Sequence, residues 1–249
     1  MKRYIAYFDF LGYKEFILNN DSDYLRIRAN QILTNIEIAL CQGKYKEPDG
    51  FTIGPDISQT RINCLNVSDT VIFWTFDDSI ESLEELLIIA NEFNWRQVKF
   101  NFPIRGVIYF DEIEMISKKS KNTVEAIYSA NLIYGKGLVK AHLKTDSLNW
   151  AGSVIDKTVI DSIKDKSVDV DIFLKPYAKL YGVPYKAPNL NIEEEYALRL
   201  IKSDLDARTF ENIKQGIINV FKMDNNSIES ARVQEILKNT IKYLESFLK

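Results

Sequence analysis

Residues 61–76 read RINCLNVSDTVIFWTF, two β-branched and aromatic runs with only Ser68 and Asp69 between them. That spacing predicts a tight β-hairpin with Asp69 at its tip. The hairpin decides the fold class, because consecutive strands break the regular alternation of a doubly wound parallel sheet. Upstream, residues 3–11 form an aromatic, apolar run that ends at Gly12 and reads as a first strand. Phe16, Leu25, Ile32, Ile36 and Leu40 then recur near helical spacing, in two segments separated by NNDSD at 19–23. Downstream, Ser79 caps a helix whose apolar face is Leu83, Leu86, Leu87, Ala90 and Phe93, and PIRGVIYFDEI at 103–113 is another strand. The order β-α-α-β-β-α-β predicts an α+β fold, a mixed and mainly antiparallel sheet with helices on one face.

Farther along, Lys118–Lys121 reads as a charged turn, and VEAIYSANLI at 124–133 fits a strand or a helix. Gly135 and Gly137 precede a helix-like segment, and AGSVID at 151–156 returns to strand. After Pro184 and Pro188 the pattern is helical to the end, with Asn226 and Glu229 in capping-box spacing. Residues 1–190 are therefore expected to form the main domain. Residues 191–249 are expected to be a helical extension that packs on it or pairs with a second copy.

Composition narrows the function classes. A 46% hydrophobic chain of 249 residues can bury a large core. A net charge of −3 supplies no basic field for nucleic acid, so no nucleic-acid partner is expected. Cys41 and Cys64 lack metal-ligand spacing and the chain has one histidine, so the cysteines are expected to be buried free thiols. No apolar stretch approaches the roughly 20 residues of a membrane span, and Asp9 interrupts any signal-like run at the start. The expectation is a cytoplasmic protein without membrane contact.

Asp9 is the residue that asks for an explanation. A carboxylate ending a buried strand has to be neutralised, hydrogen-bonded or bound to a cation. It can cap the next helix, just as Asp69 can serve only as a turn residue. Should the first strand lie beside the hairpin, however, Asp9 and Asp69 face each other, and two close carboxylates repel unless they share a proton or a cation. Mg²⁺ or Mn²⁺, held by carboxylates, a backbone carbonyl, water and substrate phosphates, is the economical partner.

Taken in order, YFDFLGY (7–13), NVSDTVIFW (66–74), PIRGVIYFDE (103–112), YGKGLVKAHL (134–143) and NWAGSVID (149–156) resemble class III nucleotidyl cyclases. The resemblance is greatest to the bacterial pyrimidine cyclases of Pycsar anti-phage defence. It implies a ferredoxin-like core over residues 3–185 and a homodimer with composite sites. It also implies two divalent ions, Mg²⁺ or Mn²⁺, held by Asp9, Asp69 and the carbonyl of Phe10. The implied reaction is attack of the ribose 3′-hydroxyl on the α-phosphorus of UTP or CTP, with pyrophosphate leaving. One ion would acidify the hydroxyl and the other steady the triphosphate. Arg105 and Lys136 are the candidates for phosphate charge, with Gly12, Gly135 and Gly137 along the nucleotide. A strand-end ion pair for Arg105 and a solvated surface for Lys136 stand as alternatives.

Leu65 and Leu132 take the places of the polar base-reading residues of purine cyclases, which points to a pyrimidine and leaves Asn63 or Asn66 as candidate base contacts. Val139 and Leu143 stand where purine cyclases carry an Asn and an Arg, with Lys140, His142 and Lys144 as possible substitutes on the same helix. The other reading is a catalytically silent cyclase-like module that binds a nucleotide or dimerises to control a partner.

Overall fold

The computed structural model describes residues 1–47, 53–121, 127–187 and 193–249. The chain runs β1 (Lys2–Phe10), α1 (Tyr13–Asn19), α2 (Ser22–Leu40), β2 (Asn63–Val67), β3 (Thr70–Trp74), α3 (Ile80–Phe100), β4 (Ile104–Glu112). It continues β5 (Glu114–Lys121), β6 (Ile127–Tyr134), α4 (Lys136–Ser147), β7 (Ser153–Ile155), α5 (Lys157–Asp165), α6 (Val170–Leu174), β8 (Ala178–Val183) and β9 (Glu193–Leu198). Two helices, α7 (Ala207–Lys222) and α8 (Ala231–Glu245), complete it.

Seven strands form one sheet in the order β2-β3-β1-β4-β7-β9-β8, and β5 pairs with β6 in a separate hairpin. The first four strands are antiparallel throughout. Their order, with α1–α2 and α3 as the crossovers, is two interlocked split βαβ units, the ferredoxin-like arrangement. The parallel pairing of β4 with β7 makes the sheet mixed. The β2–β3 turn closes on Ser68, which adopts positive φ, and Asp69.

β1 lies in the middle of this unit, and its side chains alternate between two covered faces. Phe8 and Phe10 pack against Phe93 of α3, at ring separations of 5.2 and 6.5 Å. On the other face Tyr7 hydrogen-bonds His142 of α4, and Gly137 of α4 sits over Ile5. Helices therefore cover both faces, which departs from the one-face expectation. Burial on both sides is why residues 4–8 are apolar without a period of two.

Two further expectations are corrected. Lys118–Lys121 lies within β5 rather than in a turn; its partner β6 makes the described part of VEAIYSANLI a strand, and residues 124–126 lie outside the described residues. The segment after 191 is not all helix. Glu193–Leu198 is β9, antiparallel to both β7 and β8, so a strand lying beyond the expected boundary joins β8 to the main sheet. The helices that follow pack on the core: the buried Tyr243 of α8 donates to the carbonyls of Ala197 (2.9 Å) and Leu198 (3.1 Å), and Thr240 accepts from the Ala151 amide at 2.8 Å. The loop between α7 and α8 is tied down by a buried bidentate pair, Arg28 Nε to Asp224 Oδ1 at 2.7 Å and Nη2 to Oδ2 at 2.9 Å.

Candidate active site at the ends of the central strands

The register of β1 brings together what the sequence left far apart. Asp9 lies opposite Thr70 on one side and Arg105 on the other. The Phe10 amide donates to the Asp69 carbonyl at 2.9 Å, so the hairpin tip sits directly beside the end of β1. Because Asp9 shares the Ile5–Tyr7 face of its strand, its carboxylate emerges on the α4 side.

Arg105 supplies the neutralisation that a buried carboxylate demands. Its Nε and Nη2 both lie 2.9 Å from Asp9 Oδ2. The same guanidinium holds the end of α4: Nη2 lies 2.7 Å from Asp146 Oδ1, and Nη1 donates to the Asp146 carbonyl at 2.9 Å. Lys186 closes the network at 2.9 Å from Asp146 Oδ1. Arg105 is thus a buried strand-end ion pair, a charge-assisted fork of the kind arginine geometry favours. Among the described residues nothing donates to Asp9 Oδ1 or to the Asp69 carboxylate. Burial pushes the Asp9 carboxyl above its ordinary value; Arg105 opposes that shift, and the Asp69 charge adds to it. Lys186, with Arg105 behind it, holds Asp146 below the usual range.

Tyr7, two residues before Asp9 on the same face, joins the site without having been anticipated. Its hydroxyl lies 3.0 Å from His142 Nδ1 and 3.4 Å from Thr70 Oγ1. Burial raises its pKa, and the charges of Asp9 and Asp69 raise it further. The period of two in a strand was the available signal. Asp146 and Lys186 left no such signal, since only tertiary packing brings them to Arg105.

The remaining candidates are placed elsewhere. Gly135 and Gly137 begin α4 against the far end of β4: a Cβ on Gly135 would lie 2.2 Å from the Glu112 carbonyl oxygen, and one on Gly137 2.7 Å from Ile5 Cδ1. Close packing accounts for both glycines. From Glu112 back to Arg105 is seven residues of strand, roughly 23 Å, so Gly135 and the exposed Lys136 stand a sheet-length from the acids of their own chain. Lys140 is paired with Asp111 at 2.7 Å. Lys144 bridges Asp156 (2.7 Å) and Glu195 (2.5 Å); burial alone would lower its pKa, but the two carboxylates outweigh it and raise it. Asn63 and Asn66 donate to the Trp74 and Thr70 carbonyls of their own hairpin, at 3.3 and 3.0 Å. Leu65 is half-buried on β2, whereas Leu132 is exposed on β6. Both cysteines are free, but only Cys41 is buried; Cys64 is half-buried, and the burial of its thiol pushes it up to about 12.

As a cation site the pair has the right donors. Two carboxylates with free oxygens suit Mg²⁺ or Mn²⁺, which complete their shells with water, carbonyl and phosphate oxygens. Among the described residues there is no group of three or more Asp, Glu, His or Cys placed to hold an ion. No described helix is long and apolar enough to cross a membrane.

No protein-family description and no curated protein matches the chain. Solved structures do. The guanylyl cyclase domain of the RhoGC fusion protein from the aquatic fungus Blastocladiella emersonii aligns over 79% of this chain and 95% of its own, with 9% identity and a TM-score of 0.49. The guanylate cyclase domain of RhGC from Catenaria anguillulae, in complex with GTP, aligns over 80% and 96%, with 8% identity and a TM-score of 0.47. The adenylyl cyclase CyaB from P. aeruginosa aligns over 82% and 96%, with 13% identity and a TM-score of 0.41.

Proposed function

We propose that this chain is a nucleotidyl cyclase that converts a pyrimidine nucleoside triphosphate, UTP or CTP, into its 3′,5′-cyclic monophosphate and pyrophosphate, acting as a homodimer. The observation that carries the reading is the pairing register, which sets Asp9 beside Asp69 at one sheet end, with Asp9 Oδ1 and the Asp69 carboxylate left without a donor among the described residues. Bound there, divalent ions would acidify the 3′-hydroxyl and offset the triphosphate charge. The chain's own residues supply the positioning. Arg105 grips one oxygen of Asp9 and leaves the other without a donor among the described residues, so it acts on the acid rather than on phosphate. The turn at Leu11–Gly12 receives the phosphates next to that acid. Leu65 and Leu132 offer no hydrogen bond to a purine edge, which favours a pyrimidine.

Distance supports the homodimer. Lys136 and the start of α4 cannot reach the acids of their own chain, so they act on nucleotide only at the acids of a second copy. The outer face of α4 carries exposed Val139 (59%) and Leu143 (63%), and the β5–β6 hairpin carries exposed Ile116 and Leu132. Apolar groups so exposed favour burial against another surface. The resemblance to Pycsar cyclases extends the proposal to anti-phage signalling in the cytoplasm.

Arg105 also favours the second reading, since a cation already neutralises Asp9 and α4 offers valine and leucine outward; a silent module would bind nucleotide without turnover. Incubation with UTP, CTP, ATP and GTP plus Mn²⁺ separates the two. A cyclic pyrimidine product with pyrophosphate, abolished by Asp9→Ala and Asp69→Ala in folded protein, is the expected result. Nucleotide binding with no product in the unaltered chain would establish the module instead.

A further inference from the structure

Neither cation first assigned to the phosphates is free to reach them within one chain: Arg105 is held by Asp9 and Asp146, and Lys136 lies at the other end of the sheet. Just past the end of β1, a cleft of about 440 Å³ lies between the β1–α1 turn and the C-terminal helices; Asp9 and Asp69 are outside its lining. Leu11, Gly12 and Pro103 form its inner wall. The opposite wall comes from the extension and includes Asn226 and Arg232. Arg232 is exposed and makes no ion pair among the described residues, although Glu15 lines the same cleft. Asn226 packs on the turn, 3.3 Å from where a Cβ of Gly12 would be, and its Oδ1 is buried without a partner. The Arg28–Asp224 pair fixes this loop two residues before Asn226, so the cleft is built before any ligand arrives.

We infer that this cleft is the polyphosphate subsite of the proposed nucleotide site, with Arg232 as its cationic residue and Asn226 as its amide contact; the inference rests on the cyclase reading for its substrate. A guanidinium without a carboxylate partner, lining the same cleft as the backbone turn that follows Asp9, matches the anionic oxygens of a polyphosphate. The Asn226 amide, whose Nδ2 lies nearest the Gly12 turn, offers that N–H group to such an oxygen. Glu15 sets the opposing charge and limits affinity.

The test is calorimetric titration of inorganic tripolyphosphate with Mg²⁺ into the full-length chain and its Arg232→Gln, Arg232→Lys and Glu15→Gln variants, with cyclic-product assays in parallel. Both side chains are exposed, so the variants are expected to melt like the parent. The expected result is binding weakened tenfold or more by Arg232→Gln, partly restored by Arg232→Lys and tightened by Glu15→Gln, with the Michaelis constant for the nucleotide rising in step. Equal tripolyphosphate affinity in parent and Arg232→Gln, or no binding by the parent, overturns the subsite whether or not the chain makes a cyclic nucleotide. Binding that depends on Arg232 in a chain that turns over no nucleotide keeps the subsite and removes the cyclase.

Discussion

Asp9 concentrates the conflict between stability and chemistry. The folded chain holds its proton to a higher pH than the unfolded chain does, because burial penalises the charge more than Arg105 compensates. The fold therefore loses stability as pH rises from the usual carboxylate value, ~4, through the raised one, and the loss persists at neutral pH. Asp9→Asn should abolish cyclisation and raise the melting temperature at pH 7, with the gain shrinking as pH falls below the ordinary value; calorimetry across pH 3–8 measures it. A melting temperature lowered at pH 7, with the loss vanishing as pH falls below the ordinary carboxylate value, would mean that the Arg105 pair outweighs burial. At Gly106, next to Arg105, a Cβ would come within 2.5 Å of Phe8, 2.7 Å of the Tyr7 carbonyl and 2.8 Å of Ser153. Gly106→Ala should cost about 1–3 kcal/mol through overpacking, read as a lower denaturation midpoint.

At the scale of elements, the C-terminal extension belongs to the architecture of the site end. β9 joins β8 to the sheet, α8 holds the turn before β7, and the α7–α8 loop is held by Arg28 against Asp224, whose side chains are 7% and 1% exposed. Removing one partner of such a buried pair strands the other charge, so Asp224→Ala should destabilise the chain by roughly 3–5 kcal/mol. Urea denaturation followed by circular dichroism would register this, and a change under 1 kcal/mol would show the loop to be held by other contacts. A chain ending at residue 190 lacks β9 and the Tyr243 anchor, and should fail to unfold cooperatively. The same logic explains α4: Lys140 and Lys144 tie it to the sheet, and its outward positions are left to Val139 and Leu143.

For the whole molecule, the separation between the acids and the start of α4 makes association the deciding property. Leu143→Glu places a charge on the exposed face without disturbing the core, so the isolated chain should keep its fold. Light scattering should then show a fall from two copies to one, and cyclisation should fall with it. Unchanged mass with full activity would place the working site within a single chain.

The sequence by itself determined the β-α-α-β-β-α-β order, the hairpin at Ser68–Asp69, the cap at Ser79 and the candidacy of Asp9, because these rest on side-chain periodicity, turn chemistry and the cost of burying charge, all local. Tertiary structure alone decided that Arg105 answers Asp9, that Asp146 and Lys186 join them, that Gly135 and Lys136 lie at the opposite end of the sheet, and that residues after 191 supply a strand. Those outcomes depend on register and on contacts between segments far apart in the chain. A strand buried on both faces, or an acidic run such as EEEY at 193–196 paired between neighbours, carries no periodic pattern that announces its partner.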